Sequence, residues 1–161
     1  MRTNAALYDT DFYAWVQDQA ALLAARRFEE LDLPHLVEEL QLMGNSERGE
    51  LFNRLSVLLA HLLKLQIATE RLPYVYDRAQ RGWHLTGTEQ RLQLRKLLRR
   101  NPSLRHTVPD ELPDAYAIAR LQAAIALGVD EASVPLACSW TPEQVLDEAF
   151  WPEKASPQAP R

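Results

Sequence analysis

Three groups of side chains in this 161-residue chain have the types and spacing that chemistry requires. His35, Glu38 and Glu39 stand at i, i+3 and i+4, a helical spacing that can offer two or three ligands to one metal ion, with His61 as a further ligand. His61 and Lys64 are three apart, and partial burial of such a pair can tune it for proton transfer. Arg91, Arg95 and Arg99 are four apart, so they share one side of a helix, with Lys96 and Arg100 beside them and Leu94, Leu97 and Leu98 roughly opposite. A cationic face of that kind is the footprint of nucleic-acid or anion binding through residues 81–105.

Each group also has a plainer reading. Glu38 and Glu39 can pair with basic residues or cap neighbouring backbone, and His61 can be a half-buried, hydrogen-bonded residue. The arginine row can be a solvated face that pairs with acidic helices. Lys64 to Arg105 holds ten Lys or Arg against three acids, a local +7, which leaves −11 on the rest of a chain of net charge −4. Tyr74, Tyr76 and Trp83 are the only aromatics interleaved with those bases, which is few for a single-strand platform. Convergence of Glu38, Glu39, His61, Lys64 and Trp83 on one cavity would favour a ligand or an enzyme reading.

No nucleophile stands out. There is no G-x-S-x-G elbow, no Walker A loop, no dinucleotide fingerprint and no H-E-x-x-H, and only five glycines are available for phosphate-cradling loops. Cys138 lies beside Ser139 with no histidine near it in sequence, and Ser46 and Ser103 sit where helix caps are expected. No cofactor is expected from these residues, and a metal-dependent or acid-base enzyme using Glu38, Glu39, His35 or His61 is the third reading.

The elements that must carry these groups are helices. Leu51, Leu55, Leu58, Leu62 and Leu65 follow the four-and-three spacing of a helical seam, and Phe52, Leu59, Leu63 and Ile67 add a neighbouring stripe. So wide an apolar arc needs partners on several sides, which makes a central helix near residues 46–70 the hub of a bundle. With Leu and Ala abundant and Gly scarce, the expected fold is a single all-α domain over residues 1–152, with five or six helices.

Along the chain, Asp9 or Thr10 is placed to cap a first helix bearing Phe12, Trp15, Val16, Leu22 and Leu23. Asp32 is placed to cap a second, with Pro34 in its first turn. Gly44 reads as its left-handed stop, so the second helix and the hub would form an antiparallel hairpin. In that hairpin Glu39 lies opposite residue 50 and His61 is about 16 Å further along, at 1.5 Å per residue, so the two should not meet. Pro73 ends or bends the hub, and the next helix is expected from Gly82 or Thr86 to Asn101. Pro109 and Pro113 interrupt the pattern before an Ala-rich helix over Tyr116 to Leu127 that Gly128 stops. Thr141-Pro-Glu-Gln144 matches a capping box ahead of a short last helix, and residues 153–161 read as a disordered tail.

A single cysteine and no secretory segment suggest a reducing compartment, so the expectation is cytoplasmic. Arg54, His61 and Lys64 interrupt the hub, which argues against a membrane span.

The chain resembles an uncharacterised bacterial family, domain of unknown function number 29, from about Tyr8 to Glu153. The resemblance rests on Tyr8-Asp-Thr-Asp-Phe-Tyr-Ala-Trp15, Asp32-Leu33, Glu38-Glu-Leu40 with Gly44, His61-Leu-Leu-Lys64, Trp83 before Gln90-Arg91, Pro102-Ser-Leu104, Ala115-Tyr116, Ala119-Arg120 and Trp140-Thr-Pro-Glu143. It implies an all-helical fold and supplies no activity, ligand or catalytic residue. The leading functional expectation is therefore a non-enzymatic interaction or regulatory protein that meets a protein partner or a second copy of itself, with nucleic acid a possible but less favoured partner and no membrane.

Overall fold

The computed structural model describes residues 4–152, so the tail expected at 153–161 lies outside the described residues. Every regular element in them is a helix: α1 (Asn4–Thr10), α2 (Phe12–Ala24), α3 (Leu33–Arg71), α4 (Pro73–Arg100), α5 (Val108–Leu127) and α6 (Pro142–Leu146). The all-α expectation holds. Packing divides them into two compact units, one before and one after the Ser46–Glu47 bond.

The largest departure from the sequence reading is α3. It runs unbroken for 39 residues through Gly44 and Gly49, so the expected stop and hairpin are absent. A glycine permits a left-handed stop without imposing one, and neither glycine has a positive φ. Good helix formers on both sides carry the helix through, at a cost of about 1 kcal/mol per glycine. Leu72 breaks the chain next, because a residue before proline is driven from the helical region, and Pro73 then opens α4 at a position where its missing N–H is no loss. The helix expected from Gly82 or Thr86 therefore begins about three turns earlier.

In the second unit the expected seam is the core. Leu51, Leu55, Leu58, Leu62 and Leu65 are fully buried, as are Leu59, Leu63 and Ile67 of the adjacent stripe. Each such side chain contributes about 2 kcal/mol relative to exposure. An 18-residue window of α3 is apolar enough to cross a bilayer, and 61% of that window is buried inside the protein, as a core helix would be. Ala115, Ala119 and Ala123 put a smooth stripe on α5 that lets it pack closely. Pro109 opens α5 in its first turn and Pro113 lies inside it, so the helix runs through both where the sequence suggested a break. Gly128 stops α5 with φ 65°, as expected.

Two buried arginines tie down the irregular segments. Arg120 donates from Nη2 to the carbonyls of Glu131 (3.0 Å) and Val134 (3.1 Å), folding that turn against α5. Arg91 donates from Nε to the Val145 carbonyl at 2.9 Å, holding α6 in place. The capping box at Thr141 forms as expected: its Oγ1 accepts the Gln144 N–H at 3.2 Å and its N–H donates to Gln144 Oε1 at 2.9 Å.

Candidate functional site

The first unit buries little of its own apolar surface. Asp11 caps α2 by accepting the Ala14 N–H, and Arg26 reverses the chain after α2 with φ 59°. Trp15, Gln19 and Leu22 form the buried seam of α2. Gln19 Oε1 accepts the Asp32 N–H at 2.8 Å, which ties α2 to the start of α3. Two helices with a short third cannot cover a wider stripe than this. Phe12, Val16, Ala20 and Leu23 of α2 and Leu36, Leu40 and Met43 of α3 therefore line an open groove of about 400 Å³. Leu40 and Met43 are each 65% exposed and Phe12 is 48% exposed. Glu39 is the one charged side chain along the groove.

A polar and aromatic cluster stands beside it. Tyr8 donates to Glu39 Oε1 at 2.6 Å and stacks on His35 with ring centres 3.9 Å apart. The hydrogen bond to the Glu39 carboxylate, then burial, pushes the Tyr8 hydroxyl up to about 12. Asp32 Oδ2 lies 2.7 Å from His35 Nδ1 and accepts Trp15 Nε1–H at 3.2 Å. Burial raises the Asp32 carboxyl, but the bonds from His35 and Trp15 outweigh it and hold the group below the ordinary value.

His35 and Glu39 of the expected ligand set are engaged by these partners instead. Glu39 is taken by Tyr8, His35 by Asp32, and Glu38 is exposed. Among the described residues no three His, Cys, Asp or Glu side chains are placed to hold a metal ion.

Of the expected polar five, His61, Lys64 and Trp83 come together in the second unit. His61 Nδ1 lies 2.9 Å from the Val57 carbonyl and must donate to it, which leaves Nε2 to accept from Lys64 Nζ at 3.0 Å. The ammonium also lies 5.5 Å from the centre of the Trp83 ring, within cation–π range. Burial lowers the His61 pKa, the Val57 bond partly offsets this, and the Lys64 charge lowers it further; burial alone lowers Lys64. Both imidazole nitrogens are thus engaged, Nδ1 by the Val57 carbonyl and Nε2 by the Lys64 ammonium.

The basic row loses its inner member to the core edge, while Arg95, Lys96, Arg99 and Arg100 stay exposed. Residues four apart drift about 40° around a helix, so the row winds from the core edge outward. Arg91, at the inner end with Gly87, Leu94 and Leu98, is 2% exposed and lies under Trp151, its guanidinium 4.6 Å from the ring centre. Arg95 is ion-paired with Glu148, and Arg100 lies 3.9 Å from Glu47. Arg99 is exposed.

Compared with known protein families, residues 7–151 match the one described as domain of unknown function DUF29. The chain belongs to that family. No curated protein and no solved structure matches it. In this member of the DUF29 family, sequence reasoning passed over the groove because it assigned Leu36, Leu40 and Met43 to a helix folded back at Gly44. The signal was present: 33, 36, 37, 40 and 43 follow helical spacing, a wider apolar stripe than one short neighbouring helix can cover. Asp32 and His35, at i and i+3, were equally available as a pair.

Proposed function

We propose that this DUF29 chain is a non-enzymatic interaction module that docks a helix of a partner protein in the open groove between α2 and the first part of α3. The observation that supports this reading is the groove itself: large apolar side chains on two adjacent helices, left exposed along a shared cleft of about 400 Å³. Exposed apolar surface of that continuity marks a binding site more often than an ordinary monomer surface. A cleft between two helices suits the apolar face of a third, read through anchors at i, i+3, i+4 and i+7. The reading carries a bacterial cytoplasmic setting with it, and the single half-buried Cys138 supports its reducing compartment.

The test is a titration of the full chain with an uncharged amphipathic helical peptide of about 14 residues, followed by methyl NMR. Saturable shifts at Val16, Leu23, Leu40 and Met43 in the native chain, with those at Val16 and Leu23 lost in the Leu40→Gln, Met43→Gln variant, support docking. Shifts that scatter over the second unit, or survive in the variant, overturn it.

A further inference from the structure

The charge around the groove says what kind of helix belongs there. Residues 4–46 hold eight acids and two arginines, a formal −6, while the rest of the chain carries +2. Both arginines lie in the turn after α2, and Arg27 is spent on Glu30, its Nε donating to Oε1 at 2.6 Å. The groove-forming stretches themselves, Phe12–Ala24 and residues 33–46, contain no Lys or Arg at all, against Asp18, Glu38 and Glu39. Of these acids Glu39 is bound by Tyr8, whereas Glu38 is exposed. The apolar cleft is therefore set in a mainly acidic surface, with only Arg26 and Arg27 among the described residues of its unit to offset it.

We infer that the occupant of the groove is a cationic amphipathic helix, three to four turns long, from another protein. This rests on the docking reading above and adds its partner chemistry. The length follows from the site: the 13 residues of α2 span about 20 Å at 1.5 Å per residue, and the 11 from Leu33 to Met43 about 17 Å. The sign follows from complementarity, since a basic helix is steered toward a −6 surface and an acidic one is repelled from it. The same argument counts against two other occupants. A second copy docking face to face would set −6 against −6, and an anionic lipid surface would meet the same repulsion.

Three peptides of about 14 residues with one shared apolar face and a polar face of Lys, Gln or Glu separate the possibilities. Each is titrated by fluorescence anisotropy into the full chain at about 50 mM and about 500 mM salt. The expected result is that the Lys peptide binds about tenfold or more tighter than the Gln peptide at low salt, that the Glu peptide binds weakest, and that the gap closes at high salt as the charges are screened. In the neutral double variant Leu40→Gln, Met43→Gln, binding of the Lys peptide should fall about tenfold, because charge without the groove is not enough. Equal binding of all three peptides overturns the cationic inference and leaves the docking reading standing. Binding of the Lys peptide undiminished in the double variant overturns both, as does no binding by any peptide. Concentration-dependent dimerisation of the chain that the double variant abolishes also overturns it, naming a second copy as the occupant.

Discussion

The Arg91 guanidinium packs 4.6 Å from the centre of the Trp151 ring, and Gly87, one turn earlier on α4, is what lets that ring lie so close. A Cβ on residue 87 would stand 3.0 Å from two carbons of the indole. With the Arg91 bond to Val145, this arrangement fastens the end of the described chain onto α4. A residue that looked like part of a cationic face is a structural clamp.

Gly87→Ala should therefore destabilise the protein by about 2 kcal/mol through overpacking against Trp151. Arg91→Ala should cost about 2–4 kcal/mol, because it leaves a void under the ring and strips the Val145 carbonyl of its donor. Arg99→Ala, at an exposed position, should change stability by less than about 0.5 kcal/mol. Urea unfolding of the three variants checks this, and equal effects at positions 91 and 99 would refute the clamp.

Gly44 offers the opposite sign. It lies within α3, has no positive φ, and an added Cβ there meets nothing within 4 Å. Gly44→Ala should stabilise the protein by about 0.5–1 kcal/mol. A loss of more than about 1 kcal/mol would show that the chain turns at Gly44 in a left-handed conformation.

The His61–Lys64 pair makes stability depend on pH in one direction. Because burial lowers the His61 pKa below the ordinary 6.5, the unfolded chain binds a proton there that the folded chain resists. That contribution is complete above the unfolded value and is lost as the pH falls through it toward the lower folded value. The urea midpoint should thus drop between about pH 8 and about pH 6 by more in the native protein than in His61→Gln, a window that lies above the carboxylate titrations. An identical slope in the two proteins would rule out the lowered His61 pKa.

The groove residues should behave as surface. The Leu40→Gln, Met43→Gln variant should unfold within about 0.5 kcal/mol per substitution of the native protein, while binding of an apolar fluorescent probe falls severalfold. Destabilisation beyond about 2 kcal/mol would mean that these side chains form part of a core.

Much of the fold was legible along the chain. The Leu51 to Leu65 seam, the Gly128 stop, the Thr141 capping box and the helical class depend on local spacing and local backbone preference, which are properties of neighbours in sequence. The errors fell where one residue type serves two conformations. Gly44 can stop a helix or sit inside one, and Pro113 can break one or lie near its start. Arg91 belongs by spacing to a solvent row and by position to the core edge.

The sequence by itself determined that these residues make helices, that one of them is buried along its leucine seam, and that acidic and basic residues are segregated along the chain. Only the tertiary structure decided which apolar stripe is covered and which is left open, and which charges are consumed by partners. Helical periodicity records which side chains share a face; whether a second surface covers that face depends on residues far away in sequence. For that reason Leu55 and Leu40, alike in type and in spacing, end as core and as open groove.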